Sequence, residues 1–391
     1  MQNLSKHHVK QDDHQRAEGG RTKAATSGQV DDSSGLNIGG DWKFSKNPQF
    51  LKDRLAVWDR LYEKQAAKYK EFPREKINVT LQDGAQRDGT SFETTPFDVA
   101  KQISKQFAEK IIVAKIKYTR RIGTLDEGLL NPEDDGKSTF ENQWFFWDVN
   151  RPLEGDCILI LYRFENAEGR ETFWHSSAHV LGQTLETEFG VHLCHGPPTE
   201  NGFFYDSYTG KDIFHDKDYP IIQKAAQKVV AEKQTFTRLI LTKEEALELF
   251  GKNPFKVQLI SSKIPDGGKV TAYRCGTLID LCTGPHIPTT KMIKAFKVMK
   301  NSSAYWLGKA GNDSLQRVYG VTFPSKKELD EHIHLIEEAA KRDHRNIGQQ
   351  QDLFHMHHLS PGCVFMYPKG NVVYQNLMDM IRREYRVRGY Q

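Results

Sequence analysis

The sequence predicts an α+β chain in which a small β-grasp module precedes a larger two-layer α+β domain. Three observations lead there. Residues 75–164 run strand, tight turn, helix and further strands. Residues 165–345 mix short strands with helices that carry their own start signals. Ahead of both, residues 1–44 are a polar stretch with almost no large apolar side chains. At 391 residues the chain is long enough for two or three cores.

Taken in order, residues 1–44 are rich in Ser, Gly, Asp, Gln and Lys, cannot repay the cost of ordering, and are expected to be a disordered tail. Residues 45–73 change character. Phe50, Leu51, Leu55, Val57, Trp58, Leu61 and Tyr62 recur at helical spacing among charges, which predicts an amphipathic helical extension that docks on another element. In residues 74–164, Ile77-Asn78-Val79-Thr80-Leu81 alternates as a strand and Asp83-Gly84 signals a hairpin turn. Thr95-Pro96 supplies an N-cap and a proline at N1 for a helix through Phe107. Ile111-Ile112-Val113-Ala114 and Cys157-Ile158-Leu159-Ile160-Leu161 complete the strand set.

Residues 165–348 form the larger domain. A helix is expected to open at His175 and run to Phe189, with Ala178, Leu181, Leu185 and Phe189 on one face and Gly190 as its stop. Asp218 precedes another helix; Thr242-x-x-Glu245 and Ser325-x-x-Glu328 are capping boxes for two more. Residues 256–260, 269–275 and 295–303 read as strands. Lys294, Lys297 and Lys300 along the last of these, followed by Tyr305-Trp306, suit either a solvated edge strand or a cationic, ring-lined surface for a single-stranded RNA end. Residues 349–391 hold a turn at Ser360-Pro361-Gly362 and a helix with Val373, Leu377, Met380, Ile381 and Tyr385 on one face, stopped by Gly389. His355, His357 and His358 read as structural.

The totals exclude little but narrow the field. Fifty-five basic against 51 acidic residues give a net charge of +4, which permits local nucleic-acid patches without announcing them. Five cysteines (157, 194, 275, 282, 363) form no framework and suit a reducing compartment. No stretch reaches the apolar length of a membrane span or a secretion signal, and the expected location is cytoplasmic.

One constellation carries chemistry. His175 and His179, one turn apart on a helix, converge on one point. About a hundred residues later, Asp280-Leu281-Cys282-Thr283-Gly284-Pro285-His286 is too rich in Gly and Pro for helix or strand and can aim Cys282 and His286 at the same point. An H-x3-H pair with a C-x3-H pair means a metal site or a pocket that activates water.

These segments, with Gly196-Pro197-Pro198, Asn201-Gly202-Phe203-Phe204-Tyr205-Asp206, Tyr273-Arg274-Cys275-Gly276, Tyr305-Trp306 and the 337–345 run, occur in an order that resembles the threonyl-tRNA synthetases of the eukaryotic cytosolic type. The resemblance implies a TGS domain at 74–164 and an editing domain at 165–348 that hydrolyses mischarged seryl-tRNA(Thr). It implies the beginning of a class II catalytic core at 349–391. The motifs that bind ATP, the catalytic zinc ligands and the anticodon-binding domain would lie past Gln391, so this chain is expected to deacylate but not to charge tRNA. The family's dimer forms through that core, and the final helix is expected to leave its apolar face bare.

The resemblance also implies roles. His175 and Lys256 would transfer protons and assist the oxyanion; His179, Cys282 and His286 would position the water and the seryl group. Asp280 would bind the serine ammonium, and Tyr205 and Tyr305 would meet the terminal nucleotide. For the threonyl family a metal-free pocket is favoured over zinc held by His175, His179, Cys282 and His286, as in the related alanyl-tRNA editing fold. A non-catalytic tRNA-binding or regulatory role is the third reading.

Overall fold

The computed structural model of the chain describes residues 35–129 and 143–390. The expected tail therefore lies outside the described residues up to position 34, but its last ten residues are placed, and the expectation of disorder to residue 44 is corrected. Leu36 N–H donates to Asn312 Oδ1 at 2.9 Å, and Ile38 and Gly39 N–H both donate to Asp313 Oδ2 at 2.6 and 3.0 Å. Trp42 lies over His192 with ring centroids 3.9 Å apart, and Phe44 stacks on Phe214. Four apolar side chains, Leu36, Ile38, Trp42 and Phe44, scattered through a polar stretch give no helical period, so this strap cannot be read from pattern.

Helix α1 (Gln49–Glu71) follows as expected. It ends at Phe72, which is extended because the following Pro73 disfavours helical geometry in the residue before it. Leu51, Trp58 and Leu61 are buried, and so is Arg54, whose guanidinium meets both carboxylate oxygens of Glu186 at 2.8 and 2.5 Å.

The first module contains β1 (Lys76–Leu81), β2 (Gln86–Thr90), α2 (Pro96–Ile103), α3 (Lys105–Ala108), β3 (Ile111–Arg121), β4 (Phe145–Trp147) and β5 (Gly155–Arg163). The β1–β2 turn places Gly84 at φ +83°, a left-handed value that glycine adopts without strain. α2 opens on the capping box of Thr95 and Asp98 with Pro96 at N1. It stops short of the expected end: Ser104, a residue that favours helix termini, is extended, and the chain resumes as α3. The sheet order is β2-β1-β5-β3-β4, with β1 and β5 parallel in the register Val79↔Cys157 and every other neighbouring pair antiparallel. This is the expected β-grasp arrangement, closed over Val79, Val99, Ile116 and Leu159.

The second domain contains α4 (Ala167–Phe189), β6 (His192–His195), β7 (Pro198–Thr199), β8 (Gly202–Tyr208), α5 (Tyr219–Ala231), β9 (Phe236–Thr242), α6 (Lys243–Phe250), α7 (Pro254–Lys263), β10 (Lys269–Cys275), β11 (Leu278–Leu281), β12 (Ala295–Tyr305), β13 (Ser314–Phe323) and α8 (Lys326–Lys341). Two sheets result, ordered β11-β10-β9 and β12-β13-β8-β6, with β7 beside β8. Helix α4 packs on β8 and β13 of one sheet and reaches β10 and β11 of the other. A helix between two layers is buried nearly all round, as α4 is from Thr172 to Glu186 apart from His175.

Two expectations need correction here. α4 begins at Ala167 rather than at His175, so the histidine pair sits in mid-helix, where its i, i+4 geometry is held on both sides. Residues 256–260 are helical, not a strand. Asn253 caps α7 by accepting from Phe255 and Lys256 N–H, and Pro254 stands at N1. That start signal outweighs the β-like composition of Val257, Leu259 and Ile260.

The C-terminal stretch holds α9 (His344–Gln350), β14 (Phe354–His357), β15 (Ser360–Met366) and α10 (Pro368–Val387). The reversal falls at His358 and Leu359, so Ser360-Pro361-Gly362, expected as the turn, opens β15 instead. Pro361 is accommodated because the hairpin has only two strands and every strand is an edge. The apolar face of α10, with Val373, Leu377, Met380 and Tyr385, is exposed.

His192 tests the strap. Burial first, and the Arg54 charge second, hold its imidazole down at about 4, against an ordinary value of 6.5. Between those values the unfolded chain carries the extra proton, so stability is lost as pH falls from about 6.5 toward 4, by on the order of 3 kcal/mol or less for this one group. Denaturant titrations at pH 7, 6 and 5 on the wild type and His192→Phe check it. The variant's stability should vary less steeply with pH, by up to about 1.4 kcal/mol per pH unit; identical slopes would remove His192 from the account.

Candidate hydrolytic site

The site is built where α4 meets the turn after β11. His175 and His179 come from α4, and Cys282 and His286 from the turn; their ligating atoms all lie within 4.8 Å of one another. Cys282 Sγ is 3.3 Å from His175 Nε2 and 3.3 Å from His286 Nε2. The two segments predicted to converge do converge. His179 and His286 are buried at the back, while His175 and Cys282 are partly exposed and form the accessible side.

Hydrogen bonding holds His286 at both nitrogens. Ser176 Oγ, which donates to Thr172 O at 2.7 Å and accepts from Ile287 N–H at 3.0 Å, lies 3.1 Å from His286 Nδ1. His286 Nε2 lies 3.3 Å from Cys282 Sγ. The ring is held between Phe236, stacked at 4.6 Å, and the edge of Tyr273 at 4.5 Å. His179 is the opposite case. Its Nδ1 is 3.4 Å from Asp280 Oδ2, yet neither ring nitrogen makes a hydrogen bond within the protein. A buried imidazole left so costs about 1–3 kcal/mol, which a bound water, substrate atom or cation would offset.

Beneath the histidines lies a charged group. Lys256 Nζ is 2.6 Å from Asp280 Oδ1, and Tyr205 donates its hydroxyl to Asp280 Oδ2. Lys256 is 4% exposed, Asp280 3% and Tyr205 0%, so none is a surface group that happens to be charged. Burial alone would raise the Asp280 carboxyl; Lys256 and then His179 outweigh it and hold the carboxyl well below the usual range. Burial, then Asp280, pushes the Tyr205 hydroxyl well up, so it stays a donor. The Tyr205 ring passes so close to α4 and β6 that a Cβ on Gly182 or Gly196 would run into it.

These contacts revise three sequence-based roles. Lys256 sits on the first turn of α7 with its ammonium on Asp280. Asp280 accepts from Tyr205 at Oδ2 and lies 2.6 Å from the Lys256 ammonium at Oδ1, an oxygen that makes no hydrogen bond among the described residues, so a serine ammonium would have to share the carboxylate with Lys256. Tyr205 is fully buried with its hydroxyl on Asp280, so it supports the carboxylate rather than meeting a nucleotide. Tyr305, at the end of β12, is exposed and shares no described contact with the cluster. Its neighbour Trp306 is 3% exposed and packs on Phe255, so the aromatic pair does not offer two stacking faces. β12 is an edge strand, as one of the two readings of its lysines required. His355, His357 and His358 lie on the exposed C-terminal hairpin, apart from the cluster.

Burial keeps the imidazoles neutral. It lowers His175 to about 3, with His179 as second cause, and His179 to about 4 despite the attraction of Asp280. Burial also raises the Cys282 thiol. Neutral imidazoles and a thiol suit either water binding or, after loss of the thiol proton, tetrahedral zinc; two His, one Cys and a further His are a fitting donor set.

Residues 77–162 match the family described as TGS domain, and residues 270–319 match the threonyl and alanyl tRNA synthetase second additional domain. The chain is 46% identical over 345 residues to the probable threonine–tRNA ligase 1, cytoplasmic, of Dictyostelium discoideum, covering 88% of this chain and 45% of that protein. The cytoplasmic threonine–tRNA ligase of Saccharomyces cerevisiae is 44% identical over 358 residues (88% and 45%). Threonine–tRNA ligase 1, cytoplasmic, of Homo sapiens is 40% identical over 356 residues (90% and 46%).

The chain belongs to the threonyl-tRNA synthetase family. It spans about half the length of the curated relatives it matches, and that half holds the TGS domain and the editing-type domain. Sequence reasoning gave no role here to Ser176, Tyr273 or Phe236: Ser176 lies within the H-x3-H segment and Tyr273 within a motif that carries the resemblance, but each acts by packing or hydrogen bonding, which spacing does not show. It missed Asp148, which accepts from His286 N–H at 2.8 Å, for the same reason.

Lys256 and Asp280 stabilise the domain only as a pair. Lys256→Met should cost about 3–5 kcal/mol by leaving a buried carboxylate uncompensated. Adding Asp280→Asn should recover much of that loss. Urea midpoints of the two single variants and the double variant check this, and strict additivity would show that the pair is not coupled.

Proposed function

We propose that the four-donor pocket hydrolyses the ester of serine mischarged onto the threonine tRNA. The observation that carries the reading is the convergence of His175, His179, Cys282 and His286 on one partly accessible point, on the domain that threonyl and alanyl synthetases share. The physical need is plain. Threonine exceeds serine by one methyl, worth about 1–3 kcal/mol of discrimination, so a second site that admits the smaller residue is the remedy.

In this reading the ester carbonyl enters from the side of His175 and Cys282. Water held by His175 and by an unpartnered ring nitrogen of His179 attacks the carbonyl carbon; the acyl–oxygen bond to the ribose breaks, and one proton of the attacking water passes to the departing ribose oxygen. Imidazoles held so far below neutrality are weak bases, so they orient the water more than they deprotonate it; an aminoacyl ester is reactive enough for that. Lys256, Asp280 and Tyr205 hold the floor of the pocket and fix His179 from below.

We favour the metal-free form. His175, His179, Cys282 and His286 are also the residues that would hold zinc, which when bound would polarise the water or carbonyl as a Lewis acid. The acceptor end of the threonine tRNA is the proposed partner. We place the chain in the cytoplasm with its cytoplasmic relatives. ATP binding and threonine activation are assigned to the part of those relatives that this chain does not span.

The purified chain, incubated with seryl-tRNA and threonyl-tRNA, should release serine and leave threonine. Cys282→Ala and His175→Ala should each slow release by about 10²-fold or more, the usual contribution of a positioned catalytic group. Tight tRNA binding with no release from either ester would instead favour the non-catalytic reading. Metal content is decided separately by elemental analysis: stoichiometric zinc, lost with activity on chelation, would overturn the metal-free form.

A further inference from the structure

The pocket has one rigid wall and one that needs holding. His175 and His179 project from α4, a helix buried along the pocket. Cys282 and His286 ride on a turn with Gly284 at φ +68°; Cys282 is still tied to β10, its N–H donating to Thr271 O at 3.1 Å and its carbonyl accepting from Thr271 Oγ1 at 2.6 Å, but residues 283–288 make no helix or strand hydrogen bond among the described residues. Two side chains grip its far end. Ser176, from α4, accepts from Ile287 N–H at 3.0 Å. Asp148 comes from the other module, 138 residues away, and accepts from His286 N–H through Oδ1 at 2.8 Å.

The second oxygen of Asp148 is engaged at the same place. Tyr273 donates its hydroxyl to Asp148 Oδ2 at 2.7 Å, while its ring stands edge-on to His286 at 4.5 Å. That hydroxyl also crowds Gly284: a Cβ there would overlap it. Asn150, two residues on, donates to Pro288 O at 3.0 Å. Deeper in the joint, Asp126 of the first module accepts from Arg238 of β9 at 3.0 Å. Asp148 follows β4 directly, so its position is set by the β-grasp sheet.

We infer that Asp148 is a positioning residue for the hydrolytic pocket: the first module holds His286 in register with Cys282 and with the histidines of α4. The inference deepens the proposed seryl-ester hydrolysis and rests on that reading. It gives the TGS domain a part in the editing chemistry that does not depend on contact with RNA.

The test compares Asp148→Ala, Asp148→Asn and Tyr273→Phe with the wild type in single-turnover hydrolysis of seryl-tRNA. Each is paired with the iodoacetamide labelling rate of Cys282, read by peptide mass spectrometry. Cys363, exposed on the C-terminal hairpin, is the internal control for each labelling experiment. Asp148→Ala should lower the rate constant about 10- to 100-fold, the effect of displacing a group by an ångström or so, with the half-saturating tRNA concentration unchanged. Its Cys282 labelling should change several-fold relative to Cys363. Asp148→Asn keeps an acceptor for His286 N–H and should stay within about threefold of wild type, since hydrogen-bond geometry and not charge is at stake. Tyr273→Phe should fall between the two.

Wild-type rates of both hydrolysis and labelling in Asp148→Ala would overturn the inference, as would an Asp148→Asn variant as impaired as Asp148→Ala. Should Asp148→Ala not fold, the Asn and Phe variants decide alone. If the wild type releases no serine, the functional reading fails, and the labelling arm still decides Asp148: altered Cys282 reactivity supports it, and unaltered reactivity overturns it.

Discussion

A buried carboxylate is the constraint around which the pocket is arranged. Asp280, at the end of β11, has almost no contact with solvent and stays ionised because Lys256 sits at 2.6 Å and Tyr205 donates from the other side. Removing a charge from water costs several kcal/mol, and one ammonium repays that only when its geometry is fixed. Much of the local fold does that fixing. Asn253 caps α7 and also donates to Leu193 O at 2.8 Å, tying the helix that carries Lys256 to β6. Gly182 and Gly196 leave room for the Tyr205 ring between α4 and β6. Arg54 and Glu186, an ion pair with both members buried, tie α1 to α4. The charge balance below the histidines is thus made by five separate segments of the chain.

That arrangement bears on how the imidazoles behave. A carboxylate 3.4 Å from His179 would ordinarily raise its pKa, yet burial wins and the ring stays neutral, with Lys256 opposing the pull of Asp280. The ion pair therefore presents to the pocket a carboxylate whose charge is already spent. Neutral nitrogens and a thiol can hold a water in place without binding a stray anion.

What could be read from the sequence divides along physical lines. Local signals carried through: Thr95-Pro96 starts α2, Thr242 and Glu245 cap α6, and Gly190 stops α4 in the left-handed region. The convergence of two histidines with a Gly/Pro turn was legible because helical periodicity and turn chemistry are both short-range. Lys256 was placed on a strand because Val257, Leu259 and Ile260 favour β structure when Asn253-Pro254 is not weighed. Its burial could not be read at all, since the partner lies 24 residues on in another element. The strap at 35–44 was taken for tail because Trp42 and Phe44 find their partners only in the folded domain. Tyr205 and Asp280 looked like ligand contacts, being polar residues in distinctive motifs; the structure shows that they are contacts of each other.

Asp148 shows the same limit in its sharpest form, and it changes how the two modules relate. A β-grasp module joined by a flexible linker would be free to move against its neighbour, the default for small polar interfaces. Here the joint is made of Asp126 with Arg238, Asn150 with the Pro288 carbonyl, and Asp148 with both His286 and Tyr273. Each bond is worth only about 1 kcal/mol net, or somewhat more where a charge takes part. Stability is therefore a weak reason to place them there. Geometry is a stronger one: β10 holds Cys282 at one end of the turn, and beyond it the backbone N–H of His286 is held by Asp148, which follows the sheet of the first module. A site assembled from a helix of one domain and a turn tethered by another is complete only when both are folded and docked.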